Sequence, residues 1–493
     1  MTIEEAKTFL AGIHTGEIHL ALDRIQELLR RLGNPQDQVP CIHIAGTNGK
    51  GSVLAYISTA LTEAGYRTGR YSSPVVYEYG EQFQIDGRKI REETFVSLTE
   101  EIAGKVRQME QDGWIRPSGF ELETTLAFLY FAREKCDISV VECGMGGRDD
   151  ATNVISHPLA TVFSSISLDH TAFLGPTLAD IAEVKAGIMR PGVPVITSQQ
   201  DPEVMEVLER EAKRNKAPFL YADSRRASSL NIHDGSLSYL YFPLGGKESY
   251  ERDNRGSLSV YSAEKEHGAA AATDAHLYKN AEGASAWRES ADEEASSSQD
   301  SMHAIAVTVR LPGLCQIVNS LTALETLRAL KSTRFSLTDE QILKGLADAQ
   351  WPGRFTRIFI QPDFLVDGAH NPGAAQELRS SLDLYYPGKH FIFIIGMFKD
   401  KDHDNVLRPL APRADRIFTI ETPGSPRALS ARQMAEKVAC FNTHVQPCST
   451  LGEAVEKAFQ AAGEDDVILS FGSLSNIAGI TRLVQIWPGH EHK

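Results

Sequence analysis

The segment that most restricts the fold is Gly46-Thr47-Asn48-Gly49-Lys50-Gly51-Ser52. Residues 39–45 before it form an apolar run that reads as a strand, and residues 52–64 after it carry a helical pattern. A glycine-rich turn between a strand and a helix is the setting of a phosphate-binding loop. Its glycines let backbone N–H groups approach phosphate oxygens, and the helix N-terminus adds partial positive charge. Lys50 supplies a full charge, and Ser52 a hydroxyl for a metal or phosphate. The spacing departs from the usual loop, because Gly51 separates the lysine from the hydroxyl residue. The competing reading is a glycine-rich turn with an incidental lysine. Strand, glycines, lysine and helix together favour the phosphate loop.

Around this loop, short apolar runs alternate with amphipathic stretches. Residues 138–142, 160–164 and 193–197 read as strands, and 178–189 as a helix. This rhythm predicts an α/β fold with a mostly parallel sheet and helices on both faces. It breaks between about 225 and 303. There 237–242 could form one strand, while 262–302 is rich in Ala, Ser, Glu and Asp. So few large apolar residues cannot offset the ordering entropy, so the stretch reads as a flexible insertion without a catalytic role. A partner-binding segment is the other reading. Regular pattern resumes with a strand at 304–310 and helices at 316–331 and 339–349. Trp351-Pro352-Gly353-Arg354 then reads as a hinge. Beyond it, strands at 364–367, 391–395, 416–420 and 467–470, with a helix at 374–384 among them, predict a second, smaller Rossmann-like α/β domain. The expected division is 1–352 and 353–493.

The chain has 493 residues, enough for more than one core. With 50 basic and 65 acidic residues its formal charge is −15, which argues against general binding to nucleic acid or an anionic membrane. An anionic substrate would need a local cluster of positive charge or metal. None of the six cysteines forms a C-x-x-C pair, and most lie in apolar runs, as expected of reduced thiols in a cytoplasm. The N-terminus lacks the order of a signal peptide, and no apolar run approaches the roughly 20 residues of a membrane span.

Several titratable residues fall where the phosphate-loop strand also ends. Glu142 closes the run 138–142, at the sheet edge where open α/β sheets bind ligands. A carboxylate there suits Mg²⁺, which prefers oxygen ligands and keeps some water. Asp169 and His170 follow the next strand and reach the same edge. Lys185 lies on a predicted helix, and by spacing alone it reads as a surface lysine.

Further motifs stand in order along the chain. They are Tyr71-Ser72-Ser73-Pro74, Glu142-Cys143-Gly144-Met145-Gly146-Gly147-Arg148, Asp150-Ala151-Thr152-Asn153, Leu168-Asp169-His170, Lys185-Ala186-Gly187-Ile188, Pro352-Gly353-Arg354 and Asp367-Gly368-Ala369-His370-Asn371-Pro372. Together with the phosphate loop they resemble the folylpolyglutamate synthase and dihydrofolate synthase family of the Mur ligase superfamily. The resemblance covers nearly the whole chain outside the insertion. The run LDRIQELLRRLGNPQ and the DGAHNP block point to the folate branch.

The resemblance implies an ATP-dependent ligase that adds L-glutamate to a folate or dihydropteroate through an acyl phosphate. It implies that Thr47, Asn48, Gly49, Lys50, Gly51 and Ser52 hold the ATP phosphates, and that Asn319, Arg354 and Asp367 reach ATP across the domain cleft. Ser73, Glu142 and His170 are the implied Mg²⁺ ligands. Lys185 matches a lysine that family members carry as a carbamate, a change that turns a cation into an anion beside the metal. His370 is implied in positioning the acyl phosphate or glutamate. Ile18, His19, Leu20 and Ala21, with Phe120, Glu121 and Asp149, match the pterin side. The family suggests a monomer with small-molecule substrates.

Three departures fall near the substrates. Asp149 stands where leucine is common, residues 75–84 differ from the usual HLxxxNERI pattern, and Cys315 replaces a histidine. A ligase acting on a cell-wall precursor, a P-loop ATPase without ligase activity, and a degenerate binding protein are the alternatives.

Overall fold

The computed structural model describes residues 1–12, 21–233, 235–242, 249–252, 258–261, 304–331 and 333–487. Its larger sheet has eight strands, in the order Arg88–Lys89, Phe83–Ile85, Thr68–Tyr71, Ile138–Glu142, Cys41–Ala45, Ala160–Phe163, Val195–Ser198 and Phe219–Ala222. The first two pairings are antiparallel and the rest parallel. Every residue of Cys41–Ala45 and of Ile138–Glu142 is buried. Helices cover both faces of the sheet, which is why these strands read as continuous apolar runs without alternation.

The helix Lys50–Glu63 lies on one face with Gln316–Leu330 and Asp339–Asp348, around Leu54, Ile57, Leu321 and Leu346. Gly345 lets Asp339–Asp348 come close. A Cβ there would stand 2.2 Å from Ala60 Cα. The other face is covered by Glu92–Gln111 and Gly119–Arg133, around Phe95, Ile102, Leu126 and Phe131. The chain leaves Cys41–Ala45 toward one side of the sheet and later returns to the other with Ala160–Phe163. The loops after Cys41–Ala45 and Ile138–Glu142 therefore meet at a crevice beyond the strand C-termini, the usual ligand position of such sheets.

The stretch read as an insertion from residue 225 differs from expectation at its start. Ala227–His233 and Ser236–Tyr241 pair with each other, and Ser236–Tyr241 pairs with Ile305–Val309, in an antiparallel three-stranded sheet. Leu237, Tyr239 and Tyr241 alternate with the part-buried Ser236, Ser238 and Leu240, and all three are buried against the Gln316–Leu330 side of the core. Apolar side chains at every second position supplied the burial that the following low-complexity stretch lacks. Ser249–Arg252 and Leu258–Tyr261 form a separate two-stranded pair. Residues 262–302 lie outside the described residues.

The second sheet runs Thr356–Phe359, Asp363–Val366, Val467–Phe471, Phe391–Ile395, Arg416–Thr419 and Val445–Pro447. Its first pairing is antiparallel and the others are parallel. Phe391, Phe393, Leu469 and Phe471 are buried in a core of its own. The α/β architecture with two mostly parallel sheets agrees with the sequence. The edge strand Arg88–Lys89 of the first sheet, and the hairpin partner Thr356–Phe359, were not legible as apolar runs.

Candidate active site

The phosphate loop is fixed from below by the segment that follows Ala160–Phe163. Ser165 O accepts hydrogen bonds from Thr47 N (2.8 Å) and Asn48 N (3.0 Å). Thr47 Oγ1 donates to Ser167 O at 3.1 Å, and Asn48 Nδ2 to Ser167 Oγ at 3.2 Å. These two N–H groups are thus committed to the scaffold. The amides from Gly49 onward lead into a helix with no side-chain cap, so its first turn keeps N–H groups for an anion. Gly49 has φ +86°, and a Cβ there would lie 2.3 Å from Asn319 Oδ1. Gly51 is packed against the Trp351 ring, 2.2 Å from where its Cβ would stand. That contact gives a physical reason for a glycine between Lys50 and Ser52.

Lys50 Nζ lies 3.4 Å from Thr47 O and 3.6 Å from Glu142 Oε1. Glu142 is 4% exposed, and its Oε2 is buried without a hydrogen-bond partner. Burial raises its pKa, opposed chiefly by the charge of Lys50 and then of Arg354. Lys185 is also 4% exposed and donates to Gly46 O at 2.7 Å. Burial, reinforced by the Lys50 charge, lowers its pKa to about 7. The lysine read as a surface residue by spacing is therefore a buried one under the phosphate loop. His170 takes a left-handed backbone conformation (φ +51°), and burial lowers its pKa to about 4, against the pull of Asp169. A neutral imidazole can act as a ligand.

Ser73, Glu142 and His170 line one cavity with Lys50 and Lys185, and the cavity measures about 1230 Å³. Among the described residues no three His, Cys, Asp or Glu side chains gather into a ready-made metal site. The set still fits a hard cation such as Mg²⁺. The orphaned Glu142 oxygen needs a positive partner, and Mg²⁺ is commonly held by one or two carboxylates together with water and substrate phosphates.

The second sheet supplies the opposite wall. Asp367 accepts from Phe355 N and Ala369 N, both at 2.7 Å, and burial raises its pKa against the opposing charge of Arg354. Arg354 Nη1 lies against Gly368, where a Cβ would be 2.0 Å away. His370 Nδ1 donates to Gly368 O at 2.7 Å, which leaves Nε2 facing Asp169 Oδ2 at 3.4 Å. Asn319 and Arg354 line the same cavity as the phosphate loop.

The two halves are tied together at Asp169. Lys401 Nζ lies 2.7 Å from Asp169 Oδ1, and Asn371 Nδ2 donates to Oδ2 at 3.1 Å. Burial alone would raise the pKa of Asp169. The His370 hydrogen bond and the Lys401 charge instead hold it far below the usual carboxylate range. Asn48 and Asn371 exchange amide hydrogen bonds of 3.1 and 3.0 Å. Sequence reasoning missed Lys401 and Asn371 as partners. Lys401 sits in a charged run, Lys399-Asp400-Lys401-Asp402, that looks like a solvated loop.

On the remaining side, Ala21, Phe120, Glu121 and Asp149 line the same cavity. Ile18, His19 and Leu20 lie outside the described residues. Glu121 also has structural work. It caps its own helix through Ser118 N (2.7 Å) and pairs with Arg24 at 3.0 Å. Asp149 is exposed, whereas Asp150 is buried and bonded to Met145 N and Thr152.

A phosphate loop facing a second α/β domain that brings an arginine and carboxylates to one cleft defines an ATP-dependent ligase of the Mur type. Residues 353–474 match the Mur ligase glutamate ligase domain. The dihydrofolate synthase/folylpolyglutamate synthase of Mycobacterium tuberculosis is 32% identical over 431 residues, covering 84% of this chain and 77% of that protein. The Bacillus subtilis protein of the same name is 28% identical over 483 residues, covering 97% and 98%. Mycobacterium tuberculosis folylpolyglutamate synthase complexed with ADP superposes with a TM-score of 0.79 at 28% identity, covering 100% of this chain and 99% of that one. The chain belongs to the folylpolyglutamate synthase/dihydrofolate synthase family.

Proposed function

We propose that the chain joins L-glutamate to the carboxylate of a folate, and also to dihydropteroate, with ATP converted to ADP and phosphate. The observation that carries this reading is the single cavity bounded by the phosphate loop, by Glu142, Lys185 and His170, and by Arg354, Asp367 and His370 from the other domain. A solved FPGS–AMPPCP–folate complex superposes with a TM-score of 0.76 at 25% identity, covering 99% of this chain and 100% of that one. The relatives do not favour a cell-wall ligase or an ATPase without ligase activity.

In the first step a carboxylate oxygen of the acceptor attacks the γ-phosphorus. A new O–P bond forms, the bond to the β-phosphate oxygen breaks, and ADP leaves. In the second step the neutral amine of glutamate attacks the acyl carbon, phosphate leaves with the C–O bonding pair, and the nitrogen loses a proton. The chain contributes by positioning and charge. Lys50 and the first-turn amides of Lys50–Glu63 hold the β- and γ-phosphates, while Arg354 neutralises charge from the opposite wall. Asn319 and Asp367 orient the nucleotide, and His370 orients the acyl phosphate or glutamate. Ala21, Phe120, Glu121 and Asp149 face the pterin.

Ser73, Glu142 and His170 would hold Mg²⁺, which supplies further charge neutralisation when bound. Lys185 is assigned as the carbamylated lysine. Burial lowers its pKa to about 7, which favours the neutral amine, and only the neutral amine reacts with carbon dioxide. The domains divide at 352/353, and closure over ATP gates the reaction. Both walls of the cavity come from one chain, which supports a monomer as the working unit. A cytoplasmic setting fits the six free cysteines. Among the described residues no helix is long and apolar enough to cross a membrane.

The test is ADP release measured with each substrate omitted in turn. The reading requires release that depends on both glutamate and a folate acceptor. Release that ignores both would reduce the protein to an ATPase.

A further inference from the structure

Gln316 begins the helix Gln316–Leu330 and is 1% exposed. It touches the phosphate loop from behind. Its Oε1 accepts from the Tyr56 hydroxyl at 3.2 Å and from Asn319 Nδ2 at 3.3 Å. Its Nε2 donates to Ser52 Oγ at 3.4 Å. In this arrangement the amide oxygen of Gln316 accepts twice and its nitrogen donates to Ser52.

Two consequences follow for the loop. Ser52 Oγ accepts from Gln316 and lines the cavity, so its own hydroxyl proton is left for a partner other than Gln316. Asn319, with Nδ2 held by Gln316, presents Oδ1 to the turn at Gly49, where a Cβ would stand 2.3 Å away. One buried amide thereby sets two side chains that flank the phosphate loop from the first turns of two different helices.

We propose that Gln316 is a positioning residue of the nucleotide site, holding Ser52 as a hydrogen-bond donor to the phosphates and Asn319 against the Gly49 turn. Its effect on the nucleotide runs through these two side chains. The proposal rests on the reading of this cavity as the ATP site. A purely structural role would be to join Lys50–Glu63 to Gln316–Leu330. Tyr239 offers a control for that, because its hydroxyl binds Ser320 Oγ at 2.6 Å on the same helix without reaching the loop.

The experiment is ADP titration and thermal unfolding of wild type, Gln316→Glu, Gln316→Met, Tyr239→Phe, Ser52→Ala and the Ser52→Ala/Gln316→Met double variant. Gln316→Glu keeps the acceptor for Tyr56 and Asn319 but loses the donor to Ser52. Gln316→Met is neutral and of similar length, should a buried carboxylate prevent folding. Either variant should weaken ADP about tenfold, the scale of one lost hydrogen bond. Tyr239→Phe should lower the unfolding midpoint yet leave ADP affinity within about twofold. In the Ser52→Ala background the Gln316→Met effect should shrink to below about threefold, since the shared hydroxyl is already gone. Additive losses, or equal weakening by Tyr239→Phe, would overturn the proposal. A wild type that binds no ADP would overturn the ATP-site reading beneath it as well.

Discussion

Lys401→Met removes the cation that ties the second domain to Asp169. The Lys401 and Asp169 side chains are 7% and 9% exposed, so the pair is largely out of water. Breaking a buried pair by removing one partner costs about 3–5 kcal/mol, because the remaining charge is left uncompensated. Here Asp169 keeps the hydrogen bonds from Asn371 Nδ2 at 3.1 Å and from His170 N at 2.8 Å. At roughly 1 kcal/mol each, these two bonds leave a cost of about 1–3 kcal/mol. When the domains part, Asp169 is hydrated again, so the cost falls on closure and not on either domain core. At about 1.4 kcal/mol per tenfold, kcat/KM for glutamate should drop roughly 5- to 150-fold. The assay is steady-state ligation at saturating ATP, with circular dichroism on the same sample to establish that the fold is retained. Adding Asp169→Asn should recover part of the loss, because the uncompensated charge is then gone. A drop smaller than about threefold in a folded Lys401→Met protein would refute the idea that this contact holds the domains in their working arrangement.

Other substitutions probe the remaining parts of the site. Lys50→Ala should reduce turnover to background in the ligation assay, and substantial residual activity would mean the phosphate loop is misassigned. Gly49→Ala forces a side chain into a φ of +86° and against Asn319, so ADP affinity should fall at least about tenfold by titration. Glu142→Gln keeps the shape but removes the charge, and the Mg²⁺ concentration needed for half-maximal activity should rise at least about tenfold. Incorporation of labelled bicarbonate at Lys185 should increase as pH rises through about 7, because deprotonation creates the reacting amine; an unmodified amine in active enzyme would contradict the carbamate assignment.

The parts legible from sequence were those whose chemistry is local. The phosphate loop declares itself because strand, glycines, lysine and helix are contiguous. Glu142 is legible because it ends a five-residue buried strand, and its place at the sheet edge follows from the fold class alone. Lys185 was not, since helix spacing cannot reveal that its amine reaches Gly46 O across 139 residues of chain. Lys401 was hidden for the same reason. Its partner lies 232 residues away, and a run of alternating lysine and aspartate looks solvated until a second domain covers it. Ser236–Tyr241 overlaps the strand read at 237–242, whereas Ala227–His233 was absorbed into the insertion because its apolar residues are interspersed with Ser, Asn and His. Their burial depends on a helix that begins after the low-complexity stretch ends.

Glutamate ligation to a folate-type acceptor is tested most directly by product mass. Purified protein is given ATP, Mg²⁺ and L-glutamate, with dihydropteroate in one reaction and a reduced folate in another. The account predicts a mass gain of one glutamyl residue on the acceptor, accompanied by ADP. No such gain on either acceptor would contradict it, whatever rate of ATP hydrolysis the protein shows.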